Sequence, residues 1–190
     1  MESLKGKTVR KTPKAIEDMT RVNLPETLKD LHPHVNFSVD YFFVQGIAFL
    51  HSISRVYDFR TIENIKDFGK KYNKSKMLTG VKKCVNIYHA RGLTVTQLNA
   101  DNEFGCIEEN IRPVRMNMVA ANEYVGNIER STRTVKYCTR CHIHRNPYER
   151  YPRIMVAGCI FKSIKDLNSL PSLNGISQEL SPYTKELKSV

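Results

Sequence analysis

The sequence feature that most constrains the fold is a run of β-branched and aromatic residues between positions 35 and 65. The segment reads VNFSVDYFFVQGIAFLHSISRVYDFRTIENI, with apolar residues that alternate with polar ones or follow one another without a break. Both patterns are typical of β-strands. Gly46 separates the first two apolar runs and suits a hairpin turn. We therefore predict three strands, paired antiparallel, as the framework of the protein.

Helix and strand patterns alternate after this segment. The stretch SKMLTGVKKCVNIYHARG carries apolar residues at three- and four-residue steps and ends at Gly92, which predicts an amphipathic helix. Two short strands, LTVTQLNAD and RMNMVAA, are expected next. A helix from Gly126 to about His142 should follow, with Ile128, Val135 and Cys138 on its apolar side, and then a helix through RIMVAGCIFKSIKDL. This order predicts an α/β layer with a mixed sheet.

Length and charge indicate one domain with an anionic partner. The 190 residues suffice for one full core, which we expect at 34–168, between a basic extension at 1–33 and a second extension at 169–190. The net charge is 30 − 19 = +11, and residues 1–14 (net +4) and 130–153 (net +6) carry nearly all of it. Such a basic stripe favours nucleic acid, although ribosomal and membrane-surface proteins also have basic tails.

Targeting signals and cysteine usage suggest the compartment. The sequence has no apolar run of about 18 residues and no apolar centre near its start, so we expect neither a membrane span nor a secretory signal. Five cysteines, an odd number, favour reduced thiols over a disulfide framework. An intracellular protein without a membrane partner is therefore expected.

Two aspartates stand where a hard cation could bind. Phe37, Val39, Tyr41 and Phe43 alternate along the first strand, so Asp40 should project to the opposite face. Asp101 closes the strand LTVTQLNAD, at the edge where open α/β sheets place their sites. If these strands are neighbours, the two carboxylates face each other. Such a pair raises its own proton affinity unless a cation such as Mg²⁺ or Mn²⁺ neutralises it.

Glu129 is the candidate for a third carboxylate ligand. It lies at the start of the helix predicted from Gly126, with Arg133, Lys136 and Arg140 on its own face. A basic track of this kind would lead from the metal along a phosphate backbone. Taken singly, each acid has a plainer explanation, because an Asp at a strand end is often a turn or cap residue and a Glu near a helix start favours the helix dipole.

The heptapeptide CTRCHIH, at 138–144, is a candidate zinc site. Cys138, Cys141 and a following histidine offer thiolate and imidazole ligands. A second ligand pair at finger spacing is missing, so His32 and His34 would have to complete the site across the fold. Buried or idle thiols with surface histidines are the commoner outcome.

The segments that carry these acids resemble a known family. The stretches VDYFFVQG, NADNEF and VGNIERSTRTVK are similar to the three acidic motifs of the integrase core in copia-like LTR retrotransposons, especially the diverged kind in diatoms and other protists. The resemblance extends to LKGKTVRKTPK, YHARGLTV and SLNGISQELSPYTKE, and so covers essentially the whole chain.

This resemblance implies a fold, a chemistry and partners. The fold would be ribonuclease H-like, with three antiparallel strands, parallel additions and flanking helices. Asp40, Asp101 and Glu129 would be the catalytic triad that binds Mg²⁺ or Mn²⁺ for strand transfer on DNA. The partners would be element and target DNA and further copies of the chain, with no small-molecule substrate, in the nucleus or in a cytoplasmic particle. The DNA-binding residues would be Arg130, Arg133, Lys136 and Arg140.

The sequence also departs from this family. Asp101 and Glu129 are 129 − 101 = 28 positions apart, fewer than is usual, and AANEYVG replaces the common Pro-Gln-x-Asn-Gly approach. No zinc-binding His-His-Cys-Cys module precedes Asp40 in the sequence. Three functions therefore stay open, namely an active strand-transfer enzyme, a nucleic-acid-binding module of the same fold that has lost catalysis, and a basic zinc-containing interaction protein.

Overall fold

The computed structural model describes residues 32–65, 73–118, 125–172 and 179–186. In chain order, these residues form β1 (His34–Val44), β2 (Ile47–Ser54), β3 (Arg60–Ile65), α1 (Lys74–His89), β4 (Thr94–Ala100), a 3₁₀ helix (Asn102–Ile111), β5 (Arg115–Met118), α2 (Val125–His144), α3 (Arg153–Ser169) and α4 (Pro182–Glu186). Most of the basic N-terminal extension and the last three residues of the strand predicted at RMNMVAA lie outside the described residues.

The five strands form one mixed sheet in the order β3-β2-β1-β4-β5. The pairs β1/β2 and β2/β3 are antiparallel, whereas β4 lies parallel to β1 and β5 parallel to β4. Gln45 and Gly46 both have positive φ, 48° and 72°, as a tight two-residue hairpin requires. The predicted α/β class and mixed sheet are confirmed.

Helices cover both faces of the sheet. On one face, α1 and the 3₁₀ helix bury the larger apolar cluster, which includes Phe37 and Leu50. On the other face, α2 and α3 bury a smaller cluster that includes Phe42, Val135 and Ile160. Of the alternating β1 residues, Phe37, Val39 and Tyr41 are buried as expected, but Phe43 is 50% exposed.

The boundaries of α1 follow from local chemistry. The side chain of Asn73 caps its first turn, since its Oδ1 accepts hydrogen bonds from the backbone N–H groups of Ser75 at 3.0 Å and Lys76 at 3.3 Å. Gly92 adopts a φ of 76° just after the helix, a conformation that few other residues tolerate. The buried residues of α1 include Met77, Val81, Cys84 and Tyr88, as the periodicity predicts.

Two short elements are absent from the sequence prediction. The 3₁₀ helix begins directly after Asp101 and buries Phe104, Ile107 and Ile111. The Phe104 ring stacks on Tyr41 of β1, with ring centroids 5.1 Å apart. The acidic residues between these apolar positions hide the pattern in the sequence. The second missed element is α4, which has only five residues. No helix in the described parts of the chain is long and apolar enough to cross a membrane.

Candidate active site

Asp40 and Asp101 lie on neighbouring strands at one edge of the sheet. The strands β1 and β4 run parallel, with Ser38 opposite Asn99, and each aspartate stands two residues further along the chain. Asp101 directly follows β4, so both acids are at the level where β4 ends. The strand arrangement on which the sequence argument depended is therefore present.

Asp40 is half-buried, and its carboxyl group is electrostatically strained. Its Oδ1 accepts a hydrogen bond from the backbone N–H of Tyr41 at 2.6 Å. Burial nevertheless raises the pKa of Asp40 to about 6, and the negative charges of Asp101, Glu103 and Glu129 add to this increase. The carboxylates of Asp101, Glu103 and Glu129 are thus each within electrostatic reach of Asp40. Glu103 was not identified from the sequence, although it lies only two positions after Asp101.

Glu129 sits deeper in its helix than the sequence suggested. Because α2 begins at Val125, Glu129 lies in the second turn and not at the helix start. Its carboxylate pairs with Arg133 across one turn, with 3.6 Å between Oε2 and Nη2. Within the described residues, no three histidine, cysteine or acidic side chains are arranged to hold a metal ion. In this arrangement, the Glu129 carboxylate is paired with Arg133 and does not form a ligand group with the two aspartates.

A network of buried polar side chains lies next to Asp40 and connects β2 and β3 with α2. His51 stands opposite Asp40 in the β1/β2 register and is completely buried. Its Nε2 lies 2.9 Å from the hydroxyl of Ser131, which is two residues after Glu129 on α2. Arg60 donates a further hydrogen bond from Nε to the same hydroxyl at 3.0 Å. The network therefore ties the helix that carries Glu129 to the two strands beyond Asp40.

The imidazole of His51 is neutral within this network. Burial, together with the nearby charge of Arg60, lowers the pKa of His51 to about 3. Sequence reasoning missed this residue, but a signal was present. A two-residue turn at Gln45 and Gly46 pairs Val44 with Ile47, and that register places His51 opposite Asp40.

The basic track predicted on α2 runs beside the acids. Arg133 and Arg140 are exposed, and Arg140 lies 5.6 Å from the ring centroid of Tyr137. The Lys136 ammonium lies 5.5 Å from the ring centroid of Phe42, which is two residues beyond Asp40 on the same strand face. Arg130 projects to another side, where it lines a pocket with Ser38. Three of the four predicted nucleic-acid-binding residues thus follow one side of α2.

The structure does not bring the proposed zinc ligands together. On α2, Cys138 and Cys141 lie between Val135, which packs with Phe42, and Ile143, which lines a cleft with Gln45. The two cysteines are therefore near the end of β1. His34 begins that strand, and the eight residues from His34 to Phe42 span about 25 Å. His142 instead pairs with Asp166, at 3.1 Å. The idea that His32 and His34 complete the ligand set is wrong.

The described architecture belongs to the ribonuclease H-like class of α/β folds, in the form found in retroviral integrase catalytic cores. Neither the family models nor the curated protein sequences compared with this chain give a match. The evidence for the class is structural, because the strand order and flanking helices superimpose on solved integrase structures.

Three of these structures illustrate the similarity. The catalytic core domain of BIV integrase matches with a TM-score of 0.55 and 12% identity, over 80% of this chain and 92% of that one. The HTLV-2 integrase catalytic core domain in complex with magnesium gives 0.56 and 13%, over 82% and 95%. A simian T-cell lymphotropic virus intasome gives 0.57 and 12%, over 96% of this chain and 61% of that one.

Proposed function

We propose that this chain is an integrase-type polynucleotidyl transferase core that cuts or joins DNA strands with the help of a divalent cation. The observation that supports the proposal is the position of Asp40 and Asp101 side by side at one sheet edge of a ribonuclease H-like fold, with Glu129 close enough to influence the pKa of Asp40. Burial raises the pKa of Asp40 to about 6, and the negative charges of Asp101, Glu103 and Glu129 contribute to the increase. An excess of carboxylate charge of this kind suits a hard cation.

The donor set fits Mg²⁺ or Mn²⁺, which prefer carboxylate oxygens. Asp40 and Asp101 would share one ion, and Glu129 would contribute once its side chain leaves Arg133. Magnesium also accompanies the HTLV-2 core domain to which the chain is similar. A cation bound there would activate the attacking hydroxyl group and stabilise the leaving oxygen during an in-line displacement at phosphorus.

The remaining groups of the site position the DNA and the carboxylates. Arg133, Lys136 and Arg140 present cationic groups along one side of α2, where they would bind successive phosphates. Once a phosphate binds Arg133, the Glu129 carboxylate would be released from its ion pair and could bind the metal. The hydrogen bond between His51 and Ser131 and the one that Arg60 donates to Ser131 tie α2 to β2 and β3. Tight positioning matters because metal-assisted displacement is sensitive to errors of about 1 Å.

Further copies of the chain are the expected protein partner. The side chains of Ile154 and Phe161 lie on one side of α3 and are 81% and 45% exposed. These two exposed apolar side chains are candidates for contact with another copy of the chain. The similar HTLV-2 core domain occurs in dimeric and trimeric forms. We propose a homo-oligomer that assembles on DNA.

The narrower origin of the chain is also a proposal. The motifs VDYFFVQG, NADNEF and VGNIERSTRTVK support descent from a copia-like LTR element, with residues 34–168 as the catalytic core between two extensions. A protein of this kind would act in the nucleus, on the ends of its own element and on target DNA.

The proposal is tested with a DNA duplex that carries a recessed 3′ end, incubated with the full chain and Mn²⁺ or Mg²⁺. We expect nicked or strand-transfer products that depend on the cation and disappear in Asp101→Asn. Glu109→Gln, which alters an exposed acid of the 3₁₀ helix, serves as the matched control and should retain activity. Products that form equally well with Asp101→Asn would contradict the proposal.

A second candidate function is DNA binding without catalysis. The observation that favours it is the ion pair between Glu129 and Arg133, which withholds one carboxylate from the metal. In that case the duplex would bind with normal salt dependence, and no cation would produce turnover. Glu129 would then be a helix-stabilising residue, and Glu129→Gln should retain DNA binding, slightly strengthened because a negative charge beside Arg133 is removed.

A further inference from the structure

A cleft opens between the β1–β2 hairpin and the connection from α2 to α3. Its volume is about 610 Å³, and its walls come from Gln45 of the hairpin, from the last residues of α2 and from the α2–α3 connection. This connection has the sequence RNPYERYP, at 145–152, in which basic and aromatic residues are interleaved. None of the residues that line the cleft belongs to the carboxylate site, so the cleft is a separate feature of the surface.

Two tyrosines form the aromatic part of the cleft. Tyr151 is fixed, because its hydroxyl donates a hydrogen bond to the backbone carbonyl of Ile143 at 2.7 Å. Tyr148 packs nearly perpendicular to Tyr151, with ring centroids 6.4 Å apart, and is nevertheless 61% exposed. An exposed aromatic ring that is held beside a cleft can serve as a platform on which a nucleic-acid base stacks.

The cleft also offers cationic groups. Arg150 lines it, is exposed, and has no hydrogen bond or ion pair within the part of the chain that the structure describes. Arg153 reaches the hairpin from the start of α3, since its Nη2 lies 3.7 Å from the position that a Cβ on Gly46 would take. Glu149 supplies the only carboxylate of the sequence 145–153, whose net charge is 3 − 1 = +2. The arginines suit a phosphate, whereas the carboxylate can accept a hydrogen bond from an amino group of a base.

The position of the cleft indicates which ligand would reach it. His144 lines the cleft four residues after Arg140, the last residue of the basic track, and therefore continues the same side of α2. From Glu129 to His144 the helix rises about 22 Å. One strand of B-DNA rises about 3.4 Å per nucleotide, so a strand that follows the track from the carboxylates would reach the cleft within about six or seven nucleotides.

We infer that this cleft binds an unpaired nucleotide of the DNA strand that follows the basic track, with Tyr148 stacked on the base and Arg150 bound to the phosphate. The inference rests on the proposed function for the identity of the ligand as DNA, but it does not require catalysis. A paired strand cannot fill the cleft, because its bases are stacked inside the duplex. The chain should therefore prefer DNA with a single-stranded overhang to a blunt duplex.

The first test measures the affinity of the full chain for these two DNA molecules by fluorescence anisotropy, in the presence of a chelator. Tyr148→Ala should weaken binding of the overhang DNA by about tenfold, a value within the range for one base stacked on one aromatic ring, and leave the blunt duplex unaffected. Tyr148→Trp should retain the preference. The matched control is Leu170→Ala, which removes a side chain that is 56% exposed just after α3 and should change neither affinity.

The second test concerns Arg150 and uses the salt dependence of binding to the overhang DNA. Arg150→Ala should flatten the slope of log K against log salt by about 0.7, the contribution of one phosphate contact on a single strand. Arg150→Lys should restore most of the slope. The charge-matched control is Lys82→Ala, an exposed position on α1 at the opposite sheet face, which should leave the slope unchanged.

A third test replaces one nucleotide of the overhang at a time by an abasic one. One position should weaken binding to the unmodified chain and have no effect on Tyr148→Ala. The inference is overturned if no position shows this coupling, or if Tyr148→Ala weakens binding of the overhang and blunt DNA equally. It is also overturned if free deoxycytidine monophosphate competes as strongly as the overhang does, or if Tyr148→Ala changes only the sedimentation coefficient, which would indicate a contact between copies of the chain.

The outcome separates this inference from the catalytic proposal. Coupling at one abasic position without any cation-dependent cleavage would support the nucleotide site and contradict the enzyme. Cleavage that depends on Asp101, with no coupling at any position, would support the enzyme and overturn the nucleotide site.

Discussion

At the scale of single residues, the site is defined by two titratable groups that are both driven towards their neutral forms. Asp40 and His51 stand opposite each other on β1 and β2. Burial raises the pKa of the first to about 6 and lowers that of the second to about 3. Burial under α2 therefore disfavours the charged forms of both groups. The ionised form of Asp40 would become favourable there only when a cation binds beside it.

The first prediction concerns the pH dependence of stability in the metal-free protein. The folded pKa of Asp40, about 6, exceeds its unfolded value of 3.8, so the ionised carboxylate destabilises the fold above pH 6. This penalty disappears as the pH falls towards 4. We therefore expect Asp40→Asn to stabilise the protein by about 1–2 kcal/mol at pH 7.5, after allowance for partial solvation, and by almost nothing at pH 4.

Urea unfolding in the presence of a chelator measures this effect. The buried His51 works in the opposite direction, because it is neutral in the fold and its stabilisation is lost as the pH falls below 6.5. Both proteins contain His51, so its contribution cancels in the difference. If Asp40→Asn stabilised the protein equally at pH 7.5 and pH 4, the pKa of Asp40 would not be raised in the folded protein.

At the scale of elements, each side of α2 has a different role, because residues three or four positions apart lie on the same side of the helix. Glu129, Arg133 and Lys136 follow one side, and Arg130 faces the pocket. The side towards the protein buries Val135 together with the polar residues Ser131, Thr132 and Thr139. Hydrogen bonds to His51 and Arg60 satisfy Ser131, and the Thr139 hydroxyl lies 3.1 Å from that of Ser163 on α3. The helix is therefore held by directional contacts that fix its rotation.

The second prediction compares two helical glycines. A Cβ at Gly80 of α1 would lie 2.9 Å from a buried Leu50 methyl group and 3.2 Å from Ile65. The clash should outweigh the better helix propensity of alanine, and Gly80→Ala should destabilise the protein by about 1 kcal/mol. In the matched control, Gly158→Ala on α3, nothing lies within 4 Å, so a gain of up to about 1 kcal/mol is expected.

Chemical denaturation of the two variants side by side measures the difference between them. Since both substitutions are the same and both sites are helical, the propensity term is shared. A stabilising effect at Gly80 equal to that at Gly158 would mean that α1 does not pack as closely on the sheet as described.

At the scale of the whole molecule, the two faces of the sheet differ in the charged groups they carry. The larger apolar cluster and α1 occupy one face, while the acids, the pocket and the basic track are associated with the other face and with one sheet edge. The net charge of +11 is therefore less informative than its placement along α2. This placement would guide a DNA strand towards the carboxylates.

The third prediction tests that placement. Arg133→Ala with Lys136→Ala should weaken DNA binding to a similar extent across sequences and flatten its salt dependence by about two units, since each residue would contact a different phosphate. Fluorescence anisotropy over a range of salt concentrations provides the measurement. An unchanged slope would show that the track is only a solvated helix face.

The sequence by itself determined the elements of the fold and the identity of the acids to be considered. Alternation marked β1 to β3, a helical period marked α1 to α3, and Asp40 interrupted a strand whose alternate residues were apolar. These signals are local, because each depends on residues a few positions apart along the chain. The same reasoning missed the 3₁₀ helix, whose apolar residues are separated by exposed acids.

Only the tertiary structure decided what lies beside what. The parallel pairing of β1 with β4 brings Asp101 level with Asp40, and the packing of α2 over β2 places Ser131 on His51. The same packing separates His34 from the cysteines. These contacts join residues up to 80 positions apart. Their geometry depends on burial and strand order, which local sequence patterns do not encode.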